Sequence, residues 1–145
     1  MSHIVLDASA IAALYLPELY SDWIRKLVER YDVYHVLDLT VYELCNVMWK
    51  RTYLRRELKV EHAEALWDSI KRFIETLCIV HRYNEVLDQA LRISLTYGIT
   101  VYDASYIALA RKINAKLVTL DQKLAQKLRG TDLRDILILP ETHMK

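Results

Sequence analysis

Short runs of apolar residues alternate along this chain with longer segments in which apolar positions recur every three or four residues. His3-Ile4-Val5-Leu6 is expected to form a strand buried on both faces and ending at Asp7. Two helices are expected next, over about residues 8–15 and 18–30, parted near Pro17. Val33 to Leu37 reads as a second strand. A helix is expected from about Thr40 to Glu57, with Leu44, Val47, Met48 and Leu54 as its apolar positions, and another over about residues 60–76. Leu77-Cys78-Ile79-Val80 reads as a third strand. Asn84 is placed to cap a helix that runs to Tyr97, where Gly98 ends it in the left-handed conformation. The next helix spans about Thr100 to Ile113. Lys116 to Leu120 reads as a fourth strand, Asp121 opens a short helix to about Leu128, and Ile136-Leu137-Ile138-Leu139 closes as a fifth strand.

Strands of four or five residues separated by helical segments predict β-α units and a mainly parallel sheet covered by helices. The 145 residues fit one domain, and that length buries enough surface to hold a core without disulfides. In open sheets of this kind functional groups gather at the carboxyl edge of the strands, where loops enter helix N-termini.

Four acids fall at that edge. Asp7 follows the first strand and Asp121 the fourth. Glu43 and Asp103 are each expected in the first turn of a helix, within the near-identical tetrapeptides Thr40-Val41-Tyr42-Glu43 and Thr100-Val101-Tyr102-Asp103. Taken singly, each acid is explained by capping. Thr-x-x-Glu is a capping box, and Asp7 and Asp121 suit N-cap positions. Taken together they repel one another, and a purely structural design has little reason to concentrate them. Hard divalent cations give such a reason, because magnesium takes one or two protein carboxylates and keeps waters for a substrate phosphate.

The set Val5-Leu6-Asp7-Ala8-Ser9, Glu43 with Asn46 one turn later, Tyr102-Asp103-Ala104, and Thr119-Leu120-Asp121 resembles the PIN domain, most closely the short VapC-type toxins. The resemblance covers nearly the whole chain and implies a three-layer α/β/α sandwich with a five-stranded, mainly parallel sheet. It implies a Mg2+-dependent (or Mn2+-dependent) endoribonuclease with Asp7, Glu43, Asp103 and Asp121 as its acids, Ser9, Asn46 and Thr119 as polar neighbours, a cognate antitoxin and a homodimer. Asp7 and Asp103 are expected as direct metal ligands. Asp121 binds the metal directly or through water, and Glu43 either holds a water on the metal or acts as base.

Composition narrows the remaining readings. Net charge is +1, so an RNA substrate has to be held locally, by metal or by a patch. Lys50, Arg51 and Arg55, which follow Glu43 and Asn46 along the helix, are candidates for the RNA backbone; the alternative is an ordinary solvated face. Tyr42, Tyr102 and Tyr106 lie near the site and fit packing better than base stacking. The five histidines lack zinc spacing, and Cys45 and Cys78 read as buried reduced thiols. No apolar run reaches membrane length and the start lacks a signal peptide's features, so a cytoplasmic protein is expected, without membrane contact. Two rival functions stay open: a non-catalytic PIN-like module that binds RNA or protein, and a structure-specific DNA nuclease.

Overall fold

In a computed structural model, which describes residues 1–141, five strands form one sheet. They are β1 (His3–Leu6), β2 (Val33–Leu37), β3 (Cys78–His81), β4 (Lys116–Val118) and β5 (Leu137–Ile138). The order is β3-β2-β1-β4-β5 and all four pairings are parallel. The expected sheet is therefore present, and its strands are parallel throughout.

Ile4, Val5 and Leu6 of the central strand have no exposed surface, which is why this segment is an unbroken apolar run. Ile4 and Leu6 join Val36 and Val118 against α1 (Ala8–Tyr15), α2 (Ser21–Val28), α3 (Asp38–Trp49) and α4 (Val60–Leu77). Val5 joins Leu37, Leu117 and Leu137 on the other face, against α5 (Leu87–Tyr97), α6 (Val101–Lys112) and α7 (Gln122–Lys127). Helices thus cover both faces. From β1 the chain builds outward to β2 and β3, then crosses to β4 and β5 on the other side. The switch point lies between the carboxyl ends of β1 and β4, where a crevice is expected in such sheets.

Several boundaries differ from the sequence expectation. The helix expected from Thr40 begins at Asp38, because the Thr40 hydroxyl accepts the N–H of Leu37 at 3.0 Å and so closes the turn one step earlier. Glu43 consequently sits in the second turn. The same helix stops at Trp49 and passes into a wider π turn over Lys50–Leu54, in which the N–H of Arg55 donates to the carbonyl of Lys50 at 2.9 Å. Asn84 caps nothing; it lies in a 3-10 turn over Tyr83–Glu85, and α5 starts only after Val86. Gly98 adopts φ 71° at the end of α5, as expected. Both cysteines are free, and Cys45 is exposed rather than buried.

The sheet also brings together residues that sequence spacing kept apart. His3, His35 and His81 stand on β1, β2 and β3, with His3 Nδ1 2.8 Å from His35 Nε2 and His35 Nδ1 2.9 Å from His81 Nε2. His81 Nδ1 lies 3.0 Å from Glu85 Oε1, and Lys112 Nζ is 3.4 Å from the same oxygen. Among the described residues, no helix is long and apolar enough to cross a membrane.

Candidate active site

Asp7 and Asp121 flank the switch point. Asp7 is the N-cap of α1, its Oδ1 accepting the N–H of Ala10 at 2.9 Å; Asp121 is the N-cap of α7, its Oδ1 accepting the N–H groups of Lys123 and Leu124. The capping role is therefore real for both, and it aims both carboxyls at the edge where the strands end.

Two hydroxyls join this pair. Ser9 donates to Asp7 Oδ1 at 2.6 Å and accepts the N–H of Leu120 at 3.0 Å. Thr119 is fully buried, its hydroxyl lowers the proton affinity of Asp7, and its Oγ1 accepts the N–H of Asp121 at 3.1 Å. Ser9 thus ties the loop after β4 to Asp7, and Thr119 holds the turn into Asp121. Asn46 is exposed on α3 and makes no side-chain hydrogen bond among the described residues.

Glu43 and Asp103 approach from opposite faces of the sheet. Thr100 caps α6 by accepting the N–H of Asp103 at 3.2 Å, which leaves Asp103 in the first turn, as expected. Glu43 does no capping at all. Its Oε1 accepts the hydroxyl of Tyr106 at 2.6 Å, and Tyr106 Oη is 2.7 Å from Thr40 Oγ1. Capping accounts for Asp7 and Asp121 but not for Glu43, nor for the carboxylate of Asp103, whose helix is capped by Thr100. Sequence reasoning assigned Tyr106 to packing. It is buried, but its one polar atom is committed to an acid of the site, and the Asp103-x-x-Tyr106 spacing, one helical turn, was the available signal.

The four carboxyls feel each other. Burial pushes Asp7 up to about 6, against the lowering effect of its Ser9, Thr119 and Ala10 bonds, with the charge of Glu43 adding to the rise. Glu43 is raised by burial and then by the charge of Asp103; Asp103 is raised by burial and then by the charge of Asp121. The charge of Glu43 thus reaches Asp7, that of Asp103 reaches Glu43, and that of Asp121 reaches Asp103. Among the described residues, none of them takes part in an ion pair.

An all-oxygen set of unneutralised carboxylates fits a hard divalent cation and suits no soft metal. Among the described residues no three acids, histidines or cysteines close into a preformed cage. Asp7, Asp103 and Asp121 could each offer such a cation a carboxylate oxygen.

The basic residues expected at the RNA divide in two. Arg51 is only 8% exposed, with Nη2 2.6 Å from Glu18 and Nη1 2.8 Å from Glu57. Its side chain pins the π turn to the α1–α2 connection and is not available as a free phosphate contact, which corrects the sequence expectation. Lys50 and Arg55 line a cavity of about 420 Å³ that also takes in the Glu18–Arg51 pair and reaches the Asp7 region only through Ser9.

The fold and the acidic edge define a class. The model of the PIN domain matches residues 4–129, and the chain belongs to the PIN-domain family of nucleases, which work with divalent metal ions. Ribonuclease VapC3 of Pyrobaculum aerophilum is 46% identical over 127 residues, 86% of this chain and 93% of the relative. Exonuclease VapC9 of the same organism is 33% identical over 135 residues, 92% of each. The crystal structure of Mycobacterium tuberculosis VapC20, a sarcin-ricin loop cleaving toxin, superposes with TM-score 0.67 at 14% identity, over 85% of this chain and 93% of that one. VapBC2 from Rickettsia felis, bound to a DNA fragment from its promoter, gives 0.61 at 14% identity, over 96% and 99%. At that identity the two structures speak for the fold alone.

Proposed function

We propose that this chain is a Mg2+-dependent endoribonuclease, with manganese as a possible substitute ion, and the toxin of a VapBC-type pair. The observation that carries the proposal is the set of four acids on four elements at one sheet edge. Among the described residues no cationic side chain is paired to any of them, and Asp7 and Glu43 are held by the hydroxyls of Ser9 and Tyr106. The 46% identity to a protein named a ribonuclease supports RNA as the substrate.

A divalent cation in this site would stabilise negative charge on the phosphate and make a water more acidic. Asp7 and Asp103 would hold the cation, with Asp121 offering a further oxygen directly or through water. Glu43, whose Oε1 is occupied by Tyr106, would keep Oε2 to take the proton of the attacking water as its oxygen bonds to phosphorus; the ester P–O bond breaks and the leaving oxygen takes a proton from solvent. The raised proton affinity of Glu43 suits that task. Lys50 and Arg55 hold the neighbouring backbone phosphates.

The test is cleavage of an end-labelled RNA of mixed sequence with magnesium and with chelator. Internal cuts that need the metal are expected, together with a magnesium-dependent rise in melting temperature; at a hundred times its Kd the ion adds about 2.7 kcal/mol of stability. Stepwise shortening from one end would replace the endonuclease reading with an exonuclease, in keeping with the name of VapC9. Preferential cutting of DNA would favour the DNA-nuclease reading. Metal binding with no cleavage would favour a binding module.

The reading includes a cytoplasmic homodimer that an antitoxin neutralises. Leu87, Leu91 and Leu95 form an exposed stripe along α5, with Tyr83 and the β3 residues Ile79 and Val80 also open, which supports a protein partner on this side. Light scattering should give a particle of twice the 17.1 kDa chain mass. A concentration-independent monomer would remove the dimer from the account.

A further inference from the structure

We infer that Tyr106 is a positioning residue for Glu43, the terminal donor of a hydrogen-bond chain that starts on the backbone of β2. The inference rests on reading the acidic edge as the nuclease site.

The direction of the chain follows from counting protons. The N–H of Leu37 donates to Thr40 Oγ1 at 3.0 Å, so that oxygen's own proton is free to be given onward. Tyr106 Oη touches two oxygens, Thr40 Oγ1 at 2.7 Å and Glu43 Oε1 at 2.6 Å. It has one proton. An ionised carboxylate has none to give, so the phenol donates to Glu43, and Thr40 must donate to the phenol. Each hydroxyl therefore has a single allowed role: Leu37 N–H to Thr40, Thr40 to Tyr106, Tyr106 to Glu43. Tyr106 is 3% exposed, so water does not compete for its hydroxyl, and burial beside two carboxylates keeps the phenol protonated.

The chain solves a mechanical problem. Glutamate is long and rotamer-rich, and Glu43 reaches the site from a helix on the opposite side of the sheet from α6. The residue that holds it stands one helical turn beyond Asp103. Two acids on different elements are thereby fixed to a common helix, α6, with Glu43 Oε1 committed and Oε2 left for chemistry. Thr40 also starts α3, so the same hydroxyl sets the helix register and the phenol's orientation.

Four proteins test this: wild type, Tyr106→Phe, Glu43→Gln and the double variant, each assayed for magnesium-dependent RNA cleavage and melted in chelator. Phe fills the same space, so Tyr106→Phe should fold. It should lose about 10- to 100-fold in kcat with little change in KM, the usual scale for a group supporting a metal-site residue. In the Glu43→Gln background the same change should cost almost nothing, because Tyr106 acts only through Glu43. Melting needs no activity and gives a second cycle, in which Tyr106→Phe lowers the melting temperature more when residue 43 is Glu than when it is Gln, a charged acceptor binding the hydroxyl more strongly. Tyr106→Phe with wild-type kcat, or effects on kcat that add independently, would overturn the inference. Additive melting shifts would overturn it too, whatever the activity. An inactive wild type with a coupled melting cycle would sink the nuclease reading and the positioning role with it, while leaving the contact itself measured.

Discussion

Asp7→Asn should melt about 5–10 °C above the wild type in chelator at pH 8, and should lose metal-dependent cleavage by about a hundredfold or more. Burial raises Asp7 to about 6, from an ordinary 3.8. A raised folded-state value means that the acid favours folding only while protonated. Its contribution is full below about pH 3.8 and is lost as pH rises through 6. Above that the empty wild-type site carries a penalty of roughly 3 kcal/mol, at about 1.4 kcal/mol per pKa unit. Asparagine removes the charge while keeping an acceptor for Ser9 and Ala10, whose bonds both fall on Oδ1. The gain should therefore vanish near pH 4 and shrink again when magnesium neutralises the wild-type site. Equal melting at pH 8 without metal would show that Asp7 is an ordinary cap.

The second large effect lies in the histidine ladder, and it runs the opposite way with pH. His35 stands between two other imidazoles, its Nδ1 2.9 Å from His81 Nε2 and its Nε2 2.8 Å from His3 Nδ1. Burial, then the neighbouring His81 and His3, push His35 down to about 4 from 6.5. Stability from keeping His35 neutral is full above about pH 6.5 and is lost as pH falls toward 4. The loss is on the order of 2–3 kcal/mol at about 1.4 kcal/mol per unit, since the ring is only 5% exposed. Asp7 gains stability over part of the same window, so wild-type melting alone would mask the effect. The difference between Asp7→Asn and Asp7→Asn/His35→Gln isolates it: the single variant should lose several degrees more than the double between pH 7 and pH 4. Parallel melting curves would mean that His35 is not held neutral.

Most of what positions the site was legible from sequence because it depends on local rules. The apolar run at Ile4–Leu6, the Gly98 stop and the Thr100 cap are each set by residues within one turn of one another. Asp7 and Asp121 were readable for the same reason: a strand end followed by a capping acid places the carboxyl at the sheet edge. What was hidden depends on pairs far apart in the chain. The start of α3 turns on a side-chain bond from Thr40 to Leu37, which competes with the capping box that the tetrapeptide suggested. Arg51 was misjudged because a π turn, invisible in apolar periodicity, brings it to Glu18, 33 residues away in the chain. Tyr106 meets Glu43 across 63 residues, and the three histidines meet only through strand order.

The central claim is that the four acids act together through a divalent ion to cut RNA. The most direct measurement is the initial rate of internal cleavage of one labelled RNA against magnesium concentration, for the wild type and for Asp103→Asn, with folding checked in each sample. Asparagine keeps the shape of Asp103 and leaves the Thr100 cap and the backbone N–H it accepts in place, so the variant should stay folded. The account predicts a wild-type rate that rises with magnesium to a plateau and falls to background with chelator, and a variant rate lower by about a hundredfold or more at every concentration. Wild-type-like cleavage by folded Asp103→Asn, or cleavage by the wild type that survives chelator, would contradict it.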